Sequence, residues 1–154
     1  MTESQIQNFN HLKIHTQFSI CEGAIKIDDL KEISKEKKIR SLALCDTSNL
    51  CGALEFAEKI SKVGTQPIIG TQINFKLDDT IGLLPLFALN EIGYKRIIEL
   101  SSLSYLNNDG TLDPHLNFEE LLKNNEGVAI FSGTINGLVG QLFNKGKFSE
   151  IEKL

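Results

Sequence analysis

Two short stretches of this sequence are apolar without alternation, Ser41-Leu42-Ala43-Leu44-Cys45 and Val128-Ala129-Ile130-Phe131. A strand with one wet face alternates apolar and polar side chains. An unbroken apolar run of four or five residues therefore suits a strand covered on both faces. Around these runs the apolar spacing changes to three and four. Ile27, Leu30 and Ile33 share one face of a helix that Asp28 or Asp29 would cap and that continues to about Lys38. Leu50, Leu54, Ala57 and Ile60 keep helical spacing up to Gly64, and Tyr94, Ile97, Ile98 and Leu100 form the inner side of a helix capped by Asn90. Strand signals alternating with helices of this length indicate βαβ units, and so an α/β fold with a parallel sheet or barrel.

The remaining segments fit the same alternation. Leu12-Lys13-Ile14 is a short strand candidate, Pro67 to Gly70 and Ile73 to Phe75 look extended, and Asp78-Asp79 marks a turn before a strand at Leu83 to Leu89. Asn107-Asn108-Asp109-Gly110 is a turn cluster, and Asn117 with Glu120 three residues on fits a relative of the capping box. The sequence through Leu154 is helical and carries no stop signal, as a fragment would.

Length and charge narrow the function classes. A chain of 154 residues with 41% hydrophobic residues suffices for one domain with its own core. Sixteen basic against twenty acidic residues give a formal net charge of −4, which excludes an overall basic footprint and leaves room only for a local patch. The longest nearly apolar run, Ile81 to Leu89, is far shorter than the ~20 residues of a membrane helix. Met1 to Asn10 lacks the layout of a signal peptide. Cys21, Cys45 and Cys51 cannot all pair within one chain and form no C-x-x-C unit; free, buried thiols and a reducing cytoplasm are expected.

In parallel α/β folds the loops after the strands carry function. Four such loops hold His15, Thr16, Ser19 and Glu22; Asp46-Thr47-Ser48-Asn49; Gly70-Thr71-Gln72; and Ser132 to Gly137. His15, Glu22 and Asp46 are the set from which three metal ligands could be assembled, though their spacing alone does not require it. His11 and His15 have helical spacing in what reads as strand and loop, and His115 falls in a turn-rich segment. Gly133, Gly137 and Gly140 match neither dinucleotide nor Walker patterns and suit a tight turn with close helix packing. No histidine pairs with a cysteine in sequence, and Asp78-Asp79, the one adjacent Asp pair, would point opposite ways on an extended chain.

The residues themselves resemble a family. His11-Leu12-Lys13-Ile14-His15-Thr16, with Phe18-Ser19 and Glu22 to Ile27, resembles the opening of bacterial replicative DNA polymerase III alpha subunits. Ala43-Leu44-Cys45-Asp46-Thr47-Ser48-Asn49-Leu50-Cys51-Gly52-Ala53-Leu54-Glu55-Phe56 is similar to the family's A-L-T-D-H-G-N-L-x-G-A-x-E-F. Pro67-Ile68-Ile69-Gly70, Ala88-Leu89-Asn90-Glu91-x-Gly93-Tyr94 and Ser132-Gly133 through Gly137-x-Val139 follow in the family's order.

The resemblance implies the polymerase and histidinol phosphatase (PHP) domain, a distorted (βα)7 TIM-like barrel, of which residues 1–154 would be the N-terminal part. The polymerase palm and its carboxylates would lie in later domains. Active members hold a metal cluster at the barrel mouth and hydrolyse phosphodiesters, including by 3′–5′ exonuclease action. Laid on this sequence, the ligand positions of the family fall on Lys13 and His15, on Glu22, on Thr47, on Gln72, on Leu83 and on Thr134. His15 is retained, Glu22 is a substitute, and Asp46 stays beside them, whereas Lys13, Thr47, Gln72, Leu83 and Thr134 have lost imidazole, carboxylate or thiol. The resemblance thus implies a vestigial site, no catalytic residue in this chain and no cofactor of its own, with Mg2+ belonging to the full-length polymerase. The expected partners are the remainder of the alpha subunit, a proofreading exonuclease subunit, and DNA through the full-length protein, with no membrane. The alternative is an active metal-dependent phosphoesterase or 3′–5′ exonuclease.

Overall fold

The computed structural model of the chain describes residues 9–106, 110, 112–152 and 154. The first three residues of the turn expected at Asn107 to Gly110 lie outside that set, as does most of the polar segment Met1 to Asn10. The chain divides into two compact units, Met1–Thr71 and Gln72–Leu154, and the division falls within one strand.

The first unit contains α1 (Ile27–Lys37), β1 (Ser41–Thr47), α2 (Ala53–Ser61) and the start of β2 (Gln66–Leu77). The first six residues of β1 are buried, as its apolar run requires, and the sixth of them is Asp46. The expected strand at Leu12 to Ile14 is a single parallel bridge, Ile14 to Leu44, flanked by the Ala43 amide donating to the His11 carbonyl at 3.0 Å and the Cys45 amide donating to the Ile14 carbonyl at 2.9 Å. Helix α1 starts after Lys26, which makes no capping bond. The capping role expected of Asp28 or Asp29 is therefore corrected: both lie in the first turn, where carboxylates favour the positive end of the helix dipole. The buried face is Ile27, Leu30 and Ser34, whereas Ile33 is 40% exposed. A period of 3.6 residues carries the inner face from 30 to 34 and leaves 33 outside. In α2 the same period buries Ala53, Phe56 and Ile60 and leaves Leu54 72% exposed. These side chains close with Leu42 and Leu44 into one core. Each large one stabilises the fold by about 1.5–3 kcal/mol through burial.

The second unit holds the end of β2, then β3 (Thr80–Ala88), α3 (Glu91–Leu106), β4 (His115–Asn117), α4 (Phe118–Lys123), β5 (Val128–Ile130), α5 (Leu138–Asn144) and α6 (Phe148–Ile151). The two extended segments expected before Asp78 are one twelve-residue strand. It pairs with β3 through the turn Asp78-Asp79, with Asp78 at φ 53°. A two-residue connection has no room for a crossover, so this pair is antiparallel. Strand β5 is antiparallel to β3 (Leu86 opposite Ile130), and β4 is parallel to β2 (Asn74 opposite His115). The sheet is thus mixed rather than parallel.

Asn90 caps α3 as expected, its Oδ1 accepting the Gly93 amide at 2.9 Å. The buried face of α3 is Gly93, Ile97, Leu100 and Ser104, with Ile98 turned outward. Asn117 stands at the start of α4 without a side-chain capping bond, and His115 opens β4 rather than lying in a turn. Val128 and Ala129 are half-buried and Ile130 is exposed, so the second apolar run is not covered on both faces. Among the described residues, no helix is long and apolar enough to cross a membrane.

Candidate functional site at the carboxyl end of strand β1

Strand β1 delivers Asp46 and Thr47 to its carboxyl end, and residues 16–25 fold over them. That loop is tied at both ends: Thr16 and Ile25 form a parallel bridge, and the Gln17 amide donates to the Ile25 carbonyl at 3.0 Å. The closure needs Gly23, because a Cβ there would stand 2.3 Å from the Thr16 carbonyl oxygen. Within the loop the Glu22 and Gly23 amides both donate to the Ser19 carbonyl, which turns the chain back and presents Glu22 to Thr47.

Asp46 is fully buried, and its carboxylate accepts three hydrogen bonds. The Thr16 amide donates to Oδ1 at 2.6 Å, Thr16 Oγ1 to Oδ2 at 2.8 Å, and Ser19 Oγ to Oδ1 at 2.6 Å. The Thr71 hydroxyl donates to the Asp46 carbonyl at 2.6 Å. A buried carboxylate is costly without partners, and these donors supply them. Ser19 also accepts the Thr47 amide at 3.1 Å. Outside this dry layer, Thr47 Oγ1 donates to Glu22 Oε2, and His15 Nδ1 lies 3.7 Å from the same oxygen and 3.5 Å from Ser19 Oγ. Asn49 locks the following loop through the Phe18 and Thr47 carbonyls.

The structure therefore gathers His15, Glu22, Asp46 and Thr47 into one network. Lys13 is exposed on the segment that borders β1. Gln72 is buried in β2, Leu83 is half-buried in β3 and bridges Gly137, and Thr134 is exposed in the loop before α5, its Oγ1 accepting the Asn136 amide at 3.3 Å. Thr16, Ser19 and Thr71 were legible only as polar loop residues; their joint use of Asp46 follows from the parallel placement of the loop beside β1. Of the cysteines only Cys45 is buried, and Cys21 and Cys51 are exposed, which corrects the expectation of buried thiols. Burial pushes the Cys45 thiol up to about 12, against a smaller opposing pull from the Lys13 ammonium. The glycines before and within α5 serve packing: a Cβ on Gly140 would stand 2.2 Å from the Ile135 carbonyl oxygen.

These features define an α/β domain with a polar site at the carboxyl end of a buried strand. The sequence matches the PHP domain over residues 11–154, and the chain belongs to that family. It is 37% identical over 134 residues to DNA polymerase III subunit alpha of Rickettsia felis, a match covering 86% of this chain and 11% of that protein. It is 34% identical to the subunit of the same name from Caulobacter vibrioides, over 97% of this chain and 14% of the relative. The Borreliella burgdorferi subunit is also 34% identical, over 92% and 13%. The chain thus spans 11–14% of the length of these relatives. Among solved structures, a Bifidobacterium adolescentis protein assigned as a metal-dependent phosphoesterase aligns with a TM-score of 0.47 at 18% identity, over 90% of this chain and 50% of that one.

Proposed function

We propose that this chain is the N-terminal part of the PHP domain of a replicative DNA polymerase III alpha subunit, acting in DNA replication in the cytoplasm as a structural and interaction module without a working metal site. DNA synthesis and its Mg2+ belong to the full-length polymerase, and the partners are the rest of the alpha subunit and a proofreading exonuclease subunit. The observation that carries this reading is the state of Asp46. Three of the lone-pair positions on its carboxylate are taken by Thr16 and Ser19, so it is committed to holding the loop rather than to a cation.

The donor set present does not fit a divalent cluster. Among the described residues, no three His, Cys, Asp or Glu side chains are grouped to hold a metal ion. His15 and Glu22 are the remaining near pair, and Thr47 shares the Glu22 carboxylate. Threonine, glutamine and leucine offer weak donors or none where the resemblance assigns ligands, and the Lys13 ammonium repels a cation.

Elemental analysis after dialysis against zinc, manganese and magnesium tests this. Less than about 0.1 ion per chain is expected. One or more retained ions, together with metal-dependent hydrolysis of a phosphodiester, would establish the phosphoesterase alternative instead.

A further inference from the structure

The formal net charge of −4 hides an uneven distribution. At the end of β1 opposite Asp46, roughly 20 Å away at ~3.3 Å per residue, helix α1 finishes in Ser34-Lys35-Glu36-Lys37-Lys38-Ile39-Arg40. The connection from α2 into β2 lies against this segment: Thr65 Oγ1 donates to the Ile39 carbonyl at 2.7 Å, and the Gln66 amide donates to the Arg40 carbonyl at 2.8 Å. Lys62, the C-cap of α2, stands three residues before the first of these contacts in the chain. Lys35, Lys37, Lys38, Arg40 and Lys62 are all exposed. Lys37 pairs with Glu36 at 3.3 Å, but Lys35, Lys38, Arg40 and Lys62 make no ion pair among the described residues.

Helix-end chemistry accounts for only part of this. Lysines in a last turn offset the negative end of the helix dipole, which explains Lys35 and Lys37. Lys38 and Arg40 lie beyond that turn. Lys38 also holds the left-handed conformation, φ 50°, that glycine fills at less steric cost at a helix end. Four uncompensated cations on one edge raise the local potential despite the acidic total.

We propose that the edge formed by Lys35, Lys38, Arg40 and Lys62 binds the phosphate backbone of DNA without reading its bases. Lysine ammonium groups on flexible stems act as point charges that follow phosphates, whereas fixed recognition of a carboxylate favours arginine forks. No residue from Ser34 to Arg40 is aromatic, so neither base stacking nor an anchor for an acidic peptide is provided here. The edge stands on its own geometry. The choice of DNA among polyanions rests on the replicative reading above.

Fluorescence anisotropy of the 154-residue chain with labelled single-stranded and duplex oligonucleotides is the test. Binding at about 50 mM salt is expected, weakening as salt rises. Changing Lys35, Lys38, Arg40 and Lys62 together to glutamine should cut affinity at least tenfold. It should also flatten the log–log salt slope by about 3–4, from ~0.9 per lost phosphate contact. Far-UV circular dichroism should be unchanged, since all four side chains are exposed. No binding by the parent chain, equal binding by the quadruple variant, or poly-glutamate binding as tightly as DNA would overturn the proposal, the last pointing to an acidic protein partner. Metal content reads the Asp46 end independently, so the two proposals fail separately.

Discussion

Ser19 Oγ lies 2.6 Å from Asp46 Oδ1, donating across 27 residues of chain, and the same hydroxyl accepts the Thr47 amide at 3.1 Å. One buried side chain thus joins the loop to both the side chain and the backbone at the end of β1. With the Thr16 amide and hydroxyl it satisfies a carboxylate that is fully buried.

Asp46→Ala should therefore destabilise the chain by about 3 kcal/mol or more, because it strands the Thr16 amide, the Thr16 hydroxyl and the Ser19 hydroxyl in a dry site. Ser19→Ala leaves Asp46 two donors and should cost about 1–2 kcal/mol. Urea midpoints at constant slope give both values. A loss below about 0.5 kcal/mol for Asp46→Ala would mean the network does not hold the loop.

Gly93 packs its backbone on Gly127, and a Cβ there would stand 1.8 Å from the Gly127 carbonyl oxygen. Gly93→Ala should cost at least about 2 kcal/mol through forced backbone displacement. Gly64 sits at φ 81° with nothing within 4 Å, so Gly64→Asn, which tolerates the left-handed region, should cost under about 1 kcal/mol. Thermal unfolding of the two variants should separate them clearly.

The Cys45 thiol ionises near 9.0 when exposed and is pushed to about 12 by burial. A raised acid pKa stabilises the fold fully below the exposed value, and that contribution is lost as pH climbs from about 9 toward 12, where the unfolded chain releases the proton first. Cys45→Ala should flatten the alkaline loss of stability over this window relative to the parent chain. In the folded protein at pH 8, Cys21 and Cys51 should react with a maleimide while Cys45 stays protected until denaturant is added. Three rapidly labelled thiols would contradict the buried placement.

Lys13→His would remove a cation and restore a second imidazole beside His15, yet metal-dependent hydrolysis should not appear. A cluster binds only when its ligands converge, and Thr47, Gln72, Leu83 and Thr134 remain without a suitable donor. The measurement is release of product from a single-stranded oligonucleotide with each divalent metal. Turnover gained by this single change would show a far more intact site.

Much of the architecture was legible in the sequence because local rules dominate it. The unbroken run at Ser41 to Cys45 marked the buried strand, the three-and-four spacing marked α1, α2 and α3, and Asn90 marked the start of α3. The ordered blocks from His11 to Val139 carried the family. Spacing alone does not decide which face of each helix turns inward. Ile33, Leu54 and Ile98 are apolar at helical spacing yet exposed, since the fractional period admits two neighbouring positions and packing chooses one.

What the tertiary structure decided is pairing. Nothing local says that Val128 to Ile130 runs antiparallel to β3 with Ile130 exposed, because these strand partners are remote in sequence. The candidate site divides the same way. Composition and spacing name Thr16, Ser19, Glu22 and Asp46, but a carboxylate in a loop and one buried in a strand are identical on paper. Only the placement of the loop beside β1 turns Asp46 from a candidate ligand into a buried anchor, since burial obliges its oxygens to take the donors that the fold brings to it.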